Sequence, residues 1–230
     1  SLTSGIANTA IGNRSLRYNT QGANNIAIGR EALHANTTGY QNIALGSYSM
    51  YDNTTGMNNT AMGIQSLANN TTGESNTAIG ISSLNRSTTS SYNTAVGADA
   101  NAWNTTGASN TSVGYSALND NTTGTRNIAI GALAYDNADT ESDNLAIGYS
   151  ALGGAINGGD KNVAIGNYSL DANTTGDRNT ALGYDALTSN TTGEYNTALG
   201  YEALKSNTIG IENTASGSRS LYSNTEGGYN

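Results

Sequence analysis

Residues 25–41 read NIAIGREALHANTTGYQ, and the fold follows from the recurrence of this stretch from one end of the chain to the other. Its leading asparagine stands at Asn8, Asn25, Asn42, Asn59, Asn76, Asn93, Asn110, Asn127 and Asn144, then, after one 18-residue step, at Asn162, Asn179, Asn196 and Asn213. A fixed period this short builds one small unit per repeat, and each unit buries its inner face only by stacking on its neighbours. A single repeat domain over 1–230, made of about thirteen 17-residue coils, is therefore expected.

The unit is N-[T/I]-A-[I/L]-G-x-x-[S/A]-L-x-x-N-T-T-G-x-x, numbered here as positions 1 to 17. In an extended segment side chains alternate, so positions 2 and 4 share one face and the alanine at position 3 takes the other. The large aliphatics at position 4 (Ile11, Ile28, Leu45, Ile79, Ile130, Ile147, Ile165, Leu182 and Leu199) are expected to be the scaffold core, with the leucine row at position 9. On that reading the alanine face lies outside, and its small size implies close approach by another chain. Two large apolar residues per coil make a thin core, which also favours association.

Glycine fills position 5 in every copy, at Gly12, Gly29, Gly46, Gly63, Gly80, Gly97, Gly114, Gly131, Gly148, Gly166, Gly183, Gly200 and Gly217. Only glycine takes positive φ at little cost, so each is expected to turn a corner. The asparagines at positions 1 and 12 would stack on their copies in neighbouring coils as hydrogen-bonded ladders. Two corners and two short strands per coil describe an all-β, flattened parallel β-roll. Helix is excluded by the glycine spacing and the asparagine and threonine content.

Composition narrows the function. There is no Phe, Pro or Cys, and only 11% of residues are charged, which together with strict repetition favours an ordered solenoid over disorder. The net charge of −8 is spread as single Asp and Glu residues, and no Lys/Arg cluster suits nucleic acid or an anionic membrane. No run of about 18 apolar residues is present to span a bilayer. The first residue, Ser1, is not an initiator Met, and the repeat is still running at Asn230, so the chain reads as a segment of a longer protein.

The N-T-A-I-G strand followed by Ser or Ala and a second glycine corner, as in Asn196 to Gly210 (NTALGYEALKSNTIG), resembles the head repeats of trimeric autotransporter adhesins of the YadA type. It is also similar to repeats found upstream of chaperone-type domains in tail fibres. The resemblance covers essentially the whole chain, with about three residues more per repeat around Asn-Thr-Thr. It implies a left-handed β-roll in which three chains pack around a common axis.

Few residues suit catalysis, and no cofactor is expected. His34 occupies a variable position once and reads as a surface histidine, and without a second His or any Cys a zinc site has no ligands. No P-loop and no G-x-S-x-G elbow occurs, and the carboxylates are too scattered for a glycosidase pair. The rungs from about 99 to 161 are the most irregular. There Asn101 replaces the position-9 leucine, with Trp103 read as its substitute in the core, and Tyr135 replaces another leucine directly. Gly153 to Asp160 carries the inserted residue and reads as a bulged loop rather than a calcium-binding turn. Asn-Thr-Thr is formally a glycosylation acceptor at Asn36, Asn53, Asn70, Asn121, Asn173 and Asn190, but a sugar on every rung about 4.8 Å apart would crowd.

Tyr115, Tyr149, Tyr184 and Tyr201 follow the position-5 glycine, where they form either an outer aromatic stripe for glycans or proteins or ordinary rung-to-rung packing. The leading expectation is a non-enzymatic, structural and adhesive fibre segment, extracellular at a bacterial surface or on a virion. It would be a homotrimer presenting repeated weak sites to a host-surface protein or glycan receptor, with no nucleic-acid partner and no membrane insertion of its own. An ice-binding β-solenoid is the alternative, using the position-13 threonine row (Thr20, Thr37, Thr54, Thr71, Thr88, Thr105 and Thr122). A fibre with depolymerase activity is a third reading.

Overall fold

A computed structural model describes residues 5–154 and 158–230. It is a parallel β-solenoid with one three-residue strand per repeat and no helix among the described residues. The chain divides into two compact units, Ser1–Ser112 and Val113–Asn230. The first unit holds β1 (Thr9–Ile11), β2 (Ile26–Ile28), β3 (Ile43–Leu45), β4 (Thr60–Met62), β5 (Thr77–Ile79) and β6 (Thr94–Val96). β7 (Thr111–Val113) falls at the division. The second unit holds β8 (Ile128–Ile130), β9 (Leu145–Ile147), β10 (Val163–Ile165), β11 (Thr180–Leu182), β12 (Thr197–Leu199) and β13 (Thr214–Ser216).

Within each unit consecutive strands pair in parallel and in strict register, Ala44 opposite Ala61 and Ala146 opposite Ala164. The extra residue of the 18-residue repeat therefore leaves the strand register intact. Rung-to-rung hydrogen bonds continue beyond the strands: Leu33 N–H donates to Ser49 O at 3.0 Å and Ala35 N–H to Tyr51 O at 3.0 Å. The position-5 glycines have φ between 117° and 145°, so the expected corners are present. A Cβ on Gly46 would also stand 2.4 Å from the carbonyl oxygen of Gly63 in the next rung. Three further positions per coil (7, 9 and 17) take left-handed φ without glycine, as at Glu31, Leu33 and Gln41. Such residues cost on the order of 1–2 kcal/mol each and persist where packing and hydrogen bonds hold them.

The structure reverses the assignment of the strand's two faces. From β2 onward the position-3 residues, alanine everywhere but Ser112, point into the coil and are buried, Ala10 of the terminal strand β1 being exposed, while Ile11, Leu45, Ile79, Ile130, Leu182 and Leu199 are exposed and Ile28, Ile147 and Ile165 are half-buried. In β5 the contrast is 0% for Ala78 against 37% for Ile79. The reason is space. The interior of a 17-residue coil is already filled by the position-9 leucine, the position-8 alanine or serine and two asparagines, all buried, so the strand contributes only a methyl group. The position-4 row is thus not the core of the coil but its outer sheet face.

The two asparagine rows form the expected ladders, inside the coil. Asn36 donates from Nδ2 to Asn19 Oδ1 (2.7 Å) and Gly39 O (3.0 Å), and its Oδ1 accepts from Asn53 Nδ2 (2.8 Å). In the other row Asn25 Oδ1 accepts the backbone N–H of Asn42 (2.9 Å), and its Nδ2 donates to Gly39 O (2.9 Å). Both rows thus converge on the carbonyl of the position-15 glycine. That glycine has no positive φ at regular rungs, yet a Cβ on Gly22 would lie 2.3 Å from Asn19 Oδ1. It is glycine for want of room.

Two rungs replace both residues of the pair together, while the rung with the inserted residue carries Ala155 at position 12 and keeps glycine at Gly158 and Gly159. In one, Ser87 replaces the position-12 asparagine and Ser90 the glycine; in the other, Ala138 and Glu141 do so. Ser87 and Ser90 hydroxyls bond each other, and Ser90 Oγ accepts from Asn93 and Asn104 (both 3.0 Å). The smaller residue at position 12 makes room for the Cβ at position 15. It leaves Asn70 Oδ1, one rung back, buried with no donor. Ser87→Asn alone should lower stability, because its Oδ1 meets the Ser90 Cβ. Ser87→Asn with Ser90→Gly should raise it above the parent by about 1 kcal/mol or more, since Asn70 regains a donor. A urea-denaturation double-mutant cycle reads the coupling, and strictly additive effects would refute it.

Candidate functional site

With the interior closed, any site is built from the outward rows, and these differ between the two units. Residues 1–112 carry four acidic and four basic side chains, whereas residues 113–230 carry thirteen and five, so the whole net charge of −8 belongs to the second unit.

The tyrosines at position 6 are exposed, and three of the four named in the sequence are brought into one array. Tyr149, Tyr184 and Tyr201 are joined by Tyr168, which sequence reasoning missed because it stands at position 7 of its rung. Ring centroids are 5.4 Å apart from Tyr149 to Tyr168, 5.9 Å from Tyr168 to Tyr184 and 5.8 Å from Tyr184 to Tyr201. The first two contacts are edge-to-face and the last is stacked, the arrangements that the ring quadrupole favours. At position 6 of the Tyr168 rung stands Asn167, whose Oδ1 accepts the Tyr149 N–H at 2.9 Å, and Tyr168 covers that gap. Tyr115 is exposed but stands outside the array, because the next rung carries Ala132 at position 6.

Charged side chains border the array. Lys205 Nζ lies 2.7 Å from both Asp185 and Glu202, and Arg219 Nε lies 2.7 Å from the other oxygen of Glu202, with its guanidinium 5.7 Å from the Tyr201 ring centre. Hydrogen bonds from Lys205 and Arg219 hold the Glu202 carboxyl below its usual range. In the first unit Tyr18, His34 and Tyr51 form a smaller aromatic stack, His34 lying 4.8 Å from Tyr51 with the rings nearly parallel.

The irregular rungs yield one correction and one agreement. Trp103 is exposed, with the Arg86 guanidinium 3.4 Å from its ring centre, and is no core substitute. Two residues beyond position 9 the backbone has left extended geometry, so alternating parity does not carry past the left-handed Asn101. Asn101 itself fills the leucine site, fully buried, with neither amide atom hydrogen-bonded. The apolar interior of the first unit ends just before it, at Ala100, and that of the second begins at Ala117. Tyr135 is buried in place of leucine as expected, and its hydroxyl accepts from Asn144 Nδ2 at 2.6 Å. Glu141 is buried beside it and accepts backbone N–H groups from Asp139, Thr140 and Gly158 at 2.8–3.1 Å.

Of the inserted segment, residues 155–157 lie outside the described residues, and Asp160 Oδ1 accepts from Ser142 N–H at 2.8 Å. Among the described residues no group of three or more His, Cys, Asp or Glu could hold a metal ion. The Asn-Thr-Thr asparagines are buried in the ladder, so the folded chain offers them no sugar. Position-13 hydroxyls are also engaged, Thr37 Oγ1 donating to Thr54 O at 3.0 Å and Thr54 Oγ1 to Thr71 O at 2.9 Å. No helix is long and apolar enough to cross a membrane among the described residues.

No protein-family model, curated protein or solved structure matches the chain.

Two outcomes test this description. Burial pushes the Asp136 carboxyl up to about 6, and the nearby Asp120 and Asp171 carboxylates add to the rise. The folded chain then holds a proton that the unfolded chain, at the ordinary 3.8, has released, so stability falls as pH rises from about 4 through about 6. Asp136→Asn should melt above the parent at pH 7.5 and with it at pH 4; equal melting temperatures at both would refute the assignment. Asn101→Leu should stabilise the first unit by about 1–3 kcal/mol, the penalty of a buried unpaired amide, as read by denaturant unfolding.

Proposed function

We propose that this chain is a structural and adhesive segment of an extracellular fibre, a left-handed β-roll that assembles as a homotrimer through the outer face of its sheet. The observation that carries the reading is the composition of that face. Positions 2 and 4 of all thirteen repeats hold only Thr, Ser, Ile, Leu, Val or Met, with no charged residue. Ile26, Ile43, Leu45, Met62 and Ile79 in the first unit, and Ile128, Ile130, Leu182 and Leu199 in the second, are exposed. Contiguous apolar surface of this kind marks an association site, and burying it contributes roughly 25 cal/mol per Å².

The same face supports a repeating neighbour of the same kind. Strict register stacks the apolar rows rung upon rung, so a second copy in the same register meets an identical row. The YadA-type resemblance supplies the number three and the left hand. The charged and aromatic positions lie on the remaining surface, where an assembled fibre would present several copies of each weak site and gain avidity.

Light scattering on the 230-residue chain should give about three times the 23.5 kDa chain mass. Ile43→Glu with Leu45→Glu, on the outer face of β3, should shift it toward a single chain while the far-ultraviolet spectrum keeps its strand signal. A parent chain that stays at 23.5 kDa at tens of micromolar would count decisively against lateral assembly.

A further inference from the structure

The tyrosine array of the second unit has no part in the solenoid interior, and the sequence does not require it there. Position 6 accepts Ala98 and Ala132 in other rungs, so the fold does not need a large ring at this site. Yet the rungs from Tyr149 to Tyr201 carry an unbroken run of rings that remain 43–45% exposed at Tyr149, Tyr184 and Tyr201. The run is completed by Tyr168 at position 7 of the one rung that lacks a tyrosine at position 6 between Tyr149 and Tyr201.

We propose that this array is a binding site for a neutral, extended glycan of the β-1,4-linked hexose type, lying along the stack of rungs. Three features select that chemistry. The part-exposed tyrosines offer apolar ring carbon beside phenolic hydroxyls, which matches the apolar C–H face and equatorial hydroxyls of a pyranose ring. Successive ring centres lie 5.4–5.9 Å apart on consecutive rungs, so an extended chain lying along the rungs meets a new aromatic contact with about each sugar, whereas a compact ligand would meet only one or two. The border contributes Asp185 and Glu202, carboxylates that accept hydroxyl hydrogens, held in place by Lys205 and Arg219. The surrounding unit carries the chain's entire negative charge, which disfavours sulfated, uronic or sialylated glycans. The inference rests on the adhesive reading for its purpose but not on the trimer for its geometry.

The test is affinity electrophoresis of the full chain through gels containing hydroxyethyl cellulose or galactomannan, with heparin gels for comparison, followed by titration with cellohexaose and mannohexaose. Retardation by a neutral gel and none by heparin is expected. Tyr184→Ala with Tyr201→Ala should weaken the association at least tenfold with an unchanged melting temperature. Tyr115→Ala, outside the array, should leave it within twofold. Should the double variant unfold, Tyr168→Ser serves instead, since serine occupies position 7 in other rungs (Ser82, Ser116, Ser150). No retardation by either neutral gel, equal retardation of parent and double variant, or binding confined to heparin or to a basic protein would overturn the proposal. Mass measured on the same samples separates the two readings: a trimer without glycan binding removes only this site, and a monomer that binds removes only the trimer.

Discussion

The structure depends on buried asparagine amides that must hydrogen-bond along the direction in which the coils stack. An amide removed from water and left unpaired costs about 1–3 kcal/mol. In the position-12 row each one finds its partners only if the next rung places an identical asparagine in the same register, and in the position-1 row Oδ1 needs the backbone N–H of the next rung at that same register. Asn36 between Asn19 and Asn53 shows the logic, with both amide hydrogens and the carbonyl oxygen committed. The ladder therefore enforces the repeat: a coil slipped by one residue would bury the amides without partners. Few interactions specify register so directly in a chain whose apolar residues are too sparse to do so.

The ladders also set the size of everything else. With two asparagines and a leucine inside each coil, the strand can offer only alanine to the interior, and its large aliphatics turn outward. The position-15 glycine follows from the same crowding, as the Ser87/Ser90 and Ala138/Glu141 pairs show by changing together. Where the ladder is interrupted, local chemistry fills in: a hydroxyl pair at Ser90, and a tyrosine hydroxyl and a carboxylate at Tyr135 and Glu141. Asn101 is the one core substitution among these whose side chain gains no partner. Its left-handed backbone suits asparagine better than leucine, which offsets part of the loss.

Much of this was legible in the period. Parallel stacking, strand positions, the position-5 corners and both ladders followed from spacing and residue type, because each row repeats and a repeated polar residue must be paired with its copies. Inside and outside were not legible from alternation, which separates two faces without saying which is buried. The larger residues suggested the core, but a 17-residue coil is too narrow for them. Trp103 was misplaced for a related reason: parity fails beyond a left-handed residue. Tyr168 escaped notice because a row was followed at one position, while rings from adjacent positions meet on the surface.

A scaffold that fixes every rung by its interior leaves the outer positions free to vary without cost to the fold, and the variation is not evenly spread. Positions 2 and 4 never carry charge, so that face is held to threonine and aliphatic side chains, with one serine at Ser216, through all thirteen repeats. Position 6, by contrast, takes Arg30, Ser47, Ile64, Ala98, Asn167 and tyrosine, which marks it as a place where the fold imposes little. Position 4 keeps a large aliphatic side chain in twelve of thirteen repeats although the isolated coil leaves that row at its surface, and this retained apolar row is the ground on which assembly through the face is proposed.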